Sequence, residues 1–301
     1  MKLPHPIQYQ GSKRSLALQI LQYFPSDIET LIEPFAGSAA ISIATAHYGY
    51  AKNFIINDLN KPLLKLLELI IEHPDDVSKN YEIIWNQQSE NSVEHYFTIR
   101  DEFNKSNDSF LFLYLMARCA KGAVRYNKNG QFNQSPDKRR KGTMPQNMKK
   151  NIYGVSSLLK GKAKFKSMDY RLLIDDLSDK DLVYMDPPYQ GVCSNRDSRY
   201  YSGIEHDKFV NFLEQLNKKK ISYIISYDGR LGDKQYGESL PTYLNLEHIE
   251  INAGRSSQAT LLGKKDITYE SLYLSPALLN RISFKNITDI NSKNKEYMYA
   301  S

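Results

Sequence analysis

Asp186-Pro187-Pro188-Tyr189 closes the apolar run Leu182-Val183-Tyr184-Met185, and its residue types suit one kind of chemistry, alkylation of an amino nitrogen. An exocyclic amine on a ring such as adenine is a poor nucleophile because its lone pair is delocalised into the ring. Two acceptors set on its two N–H bonds draw that pair back to nitrogen and stabilise the positive charge that develops during attack. The Asp186 carboxylate and the Pro187 carbonyl are candidates for the pair. The two prolines have restricted φ and no N–H, so the turn is stiff and its carbonyls point in fixed directions. The ring of Tyr189 could stack on a base turned out of a helix, as enzymes that react with bases require. The same four residues also suit an ordinary strand-to-loop turn with Pro-Pro punctuation.

A second constellation lies near the start of the chain. Ile28, Leu31 and Ile32 lead into Glu33-Pro34-Phe35-Ala36-Gly37-Ser38-Ala39-Ala40, followed by Ile41, Ile43 and Ala44. This reads as strand, tight turn and helix, with small residues that let a ligand approach the backbone closely, although the G-x-G-x-x-G spacing is absent. About twenty residues on, Asn53-Phe54-Ile55-Ile56 ends at Asn57-Asp58, where a carboxylate could take both hydroxyls of a ribose. An adenosine-type cofactor would fit both elements. The plainer reading of Asp58, just before Lys61-Pro62, is a cap on the next helix.

Charge is segregated along the chain. Arg118 to Lys166 holds fourteen Lys and Arg against one acid, Asp137, a net of +13; the whole chain carries +6, leaving −7 for the rest. A basic block beside a mildly acidic body is the footprint of phosphate contacts. Lys138-Arg139-Arg140-Lys141 is its densest point, and a solvated loop or localisation-type patch is the bland alternative. Arg125 suits base reading better than the tetrad, because arginine can donate two parallel bonds to guanine whereas clustered charges in a loop more often hold phosphates.

At 301 residues, 41% hydrophobic and 12% aromatic, the chain can build one large or two modest cores. It has no long apolar span, and Met1-Lys2-Leu3-Pro4-His5 lacks a signal-peptide core, so a soluble cytoplasmic protein is expected. Cys119 and Cys193 make neither a disulfide framework nor a ligand set, and the six scattered histidines have no metal-binding spacing. No metal is expected. A polar tail follows Ser283.

Strand and helix patterns alternate, break off and resume. Strands are predicted near Leu31, at Asn53–Ile56, Ala163–Lys166, Leu182–Met185 and Ile221–Tyr227. Helices follow from Ala39, near Tyr170–Leu177 and at His206–Lys218, with hairpin-like segments from Leu246 to Leu274. A largely helical stretch, Leu63 to about Met116, is broken at Pro74 and leads into the basic, loop-rich block. The alternation predicts an α/β fold, a Rossmann-like, mostly parallel sheet with ligands at the carboxyl ends of its strands. Residues 1–60 and 161–301 are expected to form the catalytic domain. Residues 61–160 would be an inserted, mainly helical and loop target-recognition domain.

With these segments in order, the chain resembles the Dam-like (D12 class) DNA adenine-N6 methyltransferases over most of its length. Gln8-Tyr9-Gln10-Gly11-Ser12-Lys13 is similar to that family's Trp-Ala-Gly-Gly-Lys element; Glu33 to Gly37 resembles its cofactor loop, Asn57-Asp58 its ribose-binding acid, and Asp186 to Tyr189 its catalytic tetrapeptide. Ser167-Met168-Asp169-Tyr170, with Asp169 seventeen residues before Asp186, looks like its Gly-Asp-Phe step beside the cofactor adenine. The resemblance implies a site-specific adenine methyltransferase using S-adenosylmethionine held by Tyr9, Lys13, Glu33, Pro34, Phe35, Gly37, Asp58, Asp169, Tyr170 and Asp186. Asp186, Pro187 and Tyr189 would act on the target. Lys13 would pair with the cofactor carboxylate or lie near the target base, the plain alternative being a surface lysine at a helix start.

The recognition region departs from the family. Gly122 to Asn127 and Phe132-Asn133 resemble its Arg-Tyr-Asn and Phe-Asn elements, but Gln134-Ser135-Pro136-Asp137 stands where GATC-specific members have Val-Pro-Phe/Tyr-Gly. DNA contacts are expected from Arg125, Asn133, Lys138, Arg139 and Arg140. Tyr200 and Tyr201 after Val192–Ser198, together with Arg255-Ser256-Ser257 and Lys264-Lys265, are weaker candidates, for the target base and for phosphate respectively. Double-stranded DNA is the expected partner, with a cognate restriction endonuclease in the same system as a further one. A monomer in a bacterial or phage-like, nucleoid-associated setting is expected. An RNA adenine methyltransferase and a non-catalytic DNA-binding regulator on the same fold are the alternatives. Asp at the head of the tetrapeptide, where cytosine-N4 enzymes usually have Ser, disfavours cytosine.

Overall fold

The computed structural model describes residues 3–88, 91–188, 204–227, 230–231, 234–235, 239–255 and 267–282. Tyr189, the stretch 192–198, Cys193, Tyr200, Tyr201, residues 256–257 and 264–265, and the tail after Ser283 lie outside the described residues. Strands β1 (Ile28–Glu33), β2 (Ala51–Asn57), β3 (Ala163–Lys166), β4 (Leu182–Met185) and β5 (Ser222–Ser226) run parallel in the order β3-β2-β1-β4-β5. The chain winds outward from β1 through β2 to β3, then returns to the other side of β1 with β4 and β5. That reversal is the switch point at which doubly wound sheets bind ligands.

Two short strands, β6 (Arg230–Leu231) and β7 (Lys234–Gln235), precede β8 (Glu247–Arg255) and β9 (Ile267–Leu274). The last two form the hairpin-like pair expected between Leu246 and Leu274. β9 runs antiparallel beside β5 and pairs with β8 along its length, so the pair extends the sheet.

Alternating side chains feed two cores, as the period of two along a strand requires. Leu31, Leu182 and Tyr184 join one core with Ile41 and Phe54. Ile32, Val183 and Met185 join the other with Phe209, Leu213 and Leu216. β4 is buried at all four positions, which is why it reads as a continuous apolar run. Helices α1 (Ala17–Leu21) and α2 (Ala40–Tyr48) contribute to the first core.

Helices α3 (Lys61–Glu72), α4 (Pro74–Asn86), α5 (Ser92–Ser106), α6 (Ser109–Arg118) and α7 (Pro145–Leu159) fill the expected insert. The break expected at Pro74 falls between α3 and α4, and Pro74 itself opens α4, a position that needs no N–H donor. The basic block is less loop-rich than its composition suggests, because α7 lies inside it. Met148, Ile152, Val155 and Leu159 form its buried stripe, and the lysines between them face outward and obscure the period. The helix expected at Tyr170–Leu177 is a 3-10 helix, Tyr170–Asp176. α8 (His206–Lys218) and α9 (Pro276–Arg281) complete the helices described. No described helix is long and apolar enough to cross a membrane.

A turn spanning Arg125 to Asn133 projects from the helical segment. Asn127 Oδ1 accepts the N–H groups of Asn129 and Gln131, and Asn133 N–H donates to the Arg125 carbonyl at 3.0 Å. Phe132 roots it among Phe103 and Phe112, whose rings stack with centroids 4.8 Å apart. The N-terminal residues strap this segment to the sheet. His5 N–H donates to Asn151 in α7, and Gln10 N–H donates to the Gly122 carbonyl at 2.9 Å.

Gly122 sits at φ +62°, and a Cβ there would lie 2.9 Å from the Gln8 carbonyl carbon. Left-handed backbone and a clash with main chain act together, so Gly122→Ala should cost about 1–3 kcal/mol, measured by urea unfolding. Glu33 offers a second check on the fold. Its buried carboxylate accepts the Ser42 N–H at 2.8 Å and also the Ser42 hydroxyl, tying β1 to α2. Burial, only partly offset by these bonds and reinforced by the charge of Asp186, raises its pKa from 4.5 to about 7. Between those values the folded chain holds a proton that the unfolded chain has lost, so stability falls as pH rises through this window. Glu33→Gln keeps an acceptor for Ser42 and removes the titration. Relative to wild type, its unfolding free energy should rise by about 1–3 kcal/mol from about pH 5 to about pH 8.

Candidate active site

Because β1, β2 and β4 are parallel, the residues that follow them emerge on one edge of the sheet. Asn57, at the end of β2, fixes the loops to one another. Its side-chain NH₂ donates to the Pro34 carbonyl at 2.8 Å and the Met168 carbonyl at 3.0 Å, while its Oδ1 accepts the Met168 N–H. Its backbone carbonyl accepts the Ala36 N–H. One buried asparagine therefore sets the distance between the loops after β1, β2 and β3.

These loops enclose a cleft of about 280 Å³. Tyr9, Lys13, Glu33, Phe35, Gly37, Asp58, Asp169, Tyr170, Asp186 and Pro187 all line it. Pro34 is buried, with its carbonyl held by Asn57. Gly37, at φ +51°, packs under the Tyr9 ring so closely that a Cβ would meet it at 2.9 Å. Phe35 and Tyr170 form a further part of its wall, with ring centroids 5.1 Å apart.

Asp58 does not cap α3. Asn60 does so, accepting the Leu63 N–H, while Asp58 accepts N–H groups from Gly37 and Asn60, each at 2.8 Å. Burial raises its pKa against the lowering effect of those two bonds. Each carboxylate oxygen has two lone pairs, so both keep capacity for further donors such as paired hydroxyls. Asp169 is pinned differently, by a two-pronged contact from Arg171 at 2.8 and 2.7 Å. That contact is the largest cause of its lowered pKa.

Lys13 occupies the centre. Rather than lying on the surface, it is 7% exposed, with Nζ 2.8 Å from Asp186 Oδ1 and 3.2 Å from Glu270 Oε1. Burial disfavours its charge, but the two carboxylates outweigh burial and raise its pKa. Beneath the cluster, the Tyr184 hydroxyl and Ser226 Oγ are 2.7 Å apart. Glu270 carries no local motif; the only signal is a charged residue at a buried position of an otherwise β-type run, Ile267 to Leu274. Tyr126 also reaches the cleft, its hydroxyl donating to Asn60 Oδ1 at 3.2 Å.

The expected DNA-contacting residues lie away from the cleft lining. Arg125 and Asn133 are exposed and adjacent at the base of the turn. Lys138, Arg139 and Arg140 are exposed as well, but Arg139 folds onto Asp137 at 3.2 Å and Arg140 approaches it at 3.8 Å. The sole acid of the basic block thus offsets part of its densest charge. Arg118, another of the fourteen, is buried and donates to the carbonyls of Asp137 and Ser92. Among the described residues, no group of three or more His, Cys, Asp or Glu is placed to hold a metal ion.

Comparison with known proteins identifies the chain's relatives. A DNA N-6-adenine-methyltransferase of Escherichia phage P1 is 25% identical over 232 residues, 74% of this chain; the match spans only 29% of the phage protein. The type II methyltransferase M.MjaIII of Methanocaldococcus jannaschii is 26% identical over 73% of this chain and 82% of its own. The retron Ec67 DNA adenine methylase of Escherichia coli is 26% identical over 84% of this chain and 88% of its own. The family model for D12 class N6 adenine-specific DNA methyltransferases matches residues 9–256. With that match spanning both the cleft and the helical segment, the chain belongs to the D12 class N6 adenine-specific DNA methyltransferase family.

Proposed function

We propose that the chain transfers a methyl group from S-adenosylmethionine to N6 of an adenine turned out of duplex DNA. The observation that carries this reading is the cleft at the switch point, where Asp186 and Pro187 face the same space as Gly37, Asp58 and the Phe35–Tyr170 wall. The cofactor supplies an electrophilic methyl group on a sulfonium. The cradle suits it: Gly37 has no side chain to obstruct the backbone, Asp58 retains acceptor capacity for the ribose, and Tyr9 and Phe35 offer apolar faces. Residues 61–160 serve as the target-recognition domain, with Arg125 and Asn133 reading base edges and Lys138, Arg139 and Arg140 on phosphates.

Extruding the base costs about a few kcal/mol, offset by contacts in the cleft and by Tyr189 stacking on its face. Asp186 and the Pro187 carbonyl accept the two N–H bonds of the amine and hold its lone pair on nitrogen. Asp186 acts as an acceptor rather than a strong base, because the neutral amine is far too weak an acid. The proton leaves once the nitrogen has become cationic. Positioning and electrostatics therefore carry most of the rate. Relatives named as adenine methylases and as a type II methyltransferase support both a Dam-like and a restriction–modification setting, the latter with a cognate endonuclease as partner. We place the reaction in the cytoplasm of a bacterial or phage-infected cell.

Asp186→Ala should abolish methyl transfer to DNA while leaving DNA binding within about twofold, since the residues assigned to DNA contact lie away from the cleft that holds Asp186; equal loss of both would count against the assignment. Sequencing of modified adenines in DNA from cells expressing the chain should reveal one short methylated motif, and unmodified DNA would overturn the reading. Arg125→Ala should lower discrimination at one base pair of that motif by about 1–3 kcal/mol, read from methylation rates on matched and mismatched duplexes.

A further inference from the structure

Asp186 is engaged by a residue of the chain itself. Its Oδ1 accepts from Lys13 Nζ at 2.8 Å, and the Asp186 side chain is only 22% exposed. A carboxylate oxygen that holds an ammonium is a weaker acceptor for an incoming amine. Lys13 cannot withdraw into solvent, because its side chain is 8% exposed and a buried ammonium stripped of carboxylates is strongly destabilised. A second carboxylate already stands within reach. Glu270 Oε1 is 3.2 Å from the same Nζ, and its side chain is 12% exposed. Glu270 sits within β9, where Ile251 of β8 pairs with it, so its backbone is fixed. Lys13 comes from the 3-10 helix Lys13–Ser15, Asp186 directly follows β4 and Glu270 lies within β9, so one side chain links carboxylates from two separate parts of the sheet.

We propose that Glu270 is a positioning residue that holds Lys13 when the target amine takes its place on Asp186. The ammonium moves from a shared contact to a contact dominated by Glu270, and Asp186 Oδ1 recovers its full acceptor strength without leaving a buried cation unpaired. This deepens the methyl-transfer reading and rests on Asp186 being the acceptor for the amine.

The test is a double-mutant cycle using Glu270→Gln, Lys13→Gln and the double variant of the full chain. Single-turnover transfer from tritiated S-adenosylmethionine to bacterial genomic DNA lacking adenine methylation gives the rate. Cofactor affinity is measured separately by calorimetry without DNA, and folding by thermal unfolding. Glu270→Gln should slow transfer about tenfold or more with cofactor affinity within about twofold, and should change the rate less than about twofold when Lys13 is already Gln. Glu270→Asp, which keeps the charge, should restore most of the rate. Equal factors in both backgrounds, a wild-type rate for Glu270→Gln, a loss confined to cofactor affinity, or Asp no better than Gln would each overturn the proposal. Absence of transfer by the wild-type chain would instead refute the methyl-transfer reading beneath it, so the two failures are distinguishable.

Discussion

A charge taken out of water has to be matched inside the protein, and Lys13 shows how much architecture one such requirement can govern. Its ammonium is shared by carboxylates from β4 and β9, so the N-terminal segment, the centre of the sheet and its antiparallel extension meet at one point. Tyr9 is drawn over Gly37 by the same segment. Glu33, a third acid close enough for the charge of Asp186 to help raise its pKa, is satisfied by Ser42 instead. Among the described residues, the cluster holds more carboxyl groups than cations in a partly dry space, a setting suited to a cationic ligand.

The sheet makes this clustering possible. Parallel strands bring residues distant in sequence to one edge, and the reversal of winding at β1 opens room between the loops. Asn57 then fixes the loops with four hydrogen bonds from a single residue. Asp58 adds a second tie, accepting the Gly37 N–H through its side chain and the Ser167 hydroxyl through its carbonyl.

Much of this was legible from sequence because it is written contiguously. Glu33 to Gly37 and Asp186 to Pro187 each lie at a strand ending, so local pattern predicts their position at the cleft. The parallel strands were readable from β-type runs such as Leu182–Met185. What escaped depends on contacts across the fold. Glu270 stands alone in its strand, and its part emerges only when β9 lies beside β5. Asn57 and Asn60 look like ordinary polar residues until their partners are known. α7 is obscured because its buried stripe is interrupted by polar residues such as Lys149, Lys150 and Asn151, and it lies inside a strongly basic block. Charge counting has the converse weakness. It scored Arg118 as a surface cation although that residue is a buried clamp, and it could not show that Arg139 turns back onto Asp137.

The turn from Arg125 to Asn133 separates two tasks that one loop might have combined. Phe132 anchors it in an aromatic cluster, whereas Arg125 and Asn133 stand in solvent. Exposed positions on an anchored loop tolerate substitution at little cost to folding. The outward-facing positions of this turn can therefore be exchanged without disturbing its aromatic root or the strand-end cleft, so the surface the turn presents can change while the interior keeps its packing.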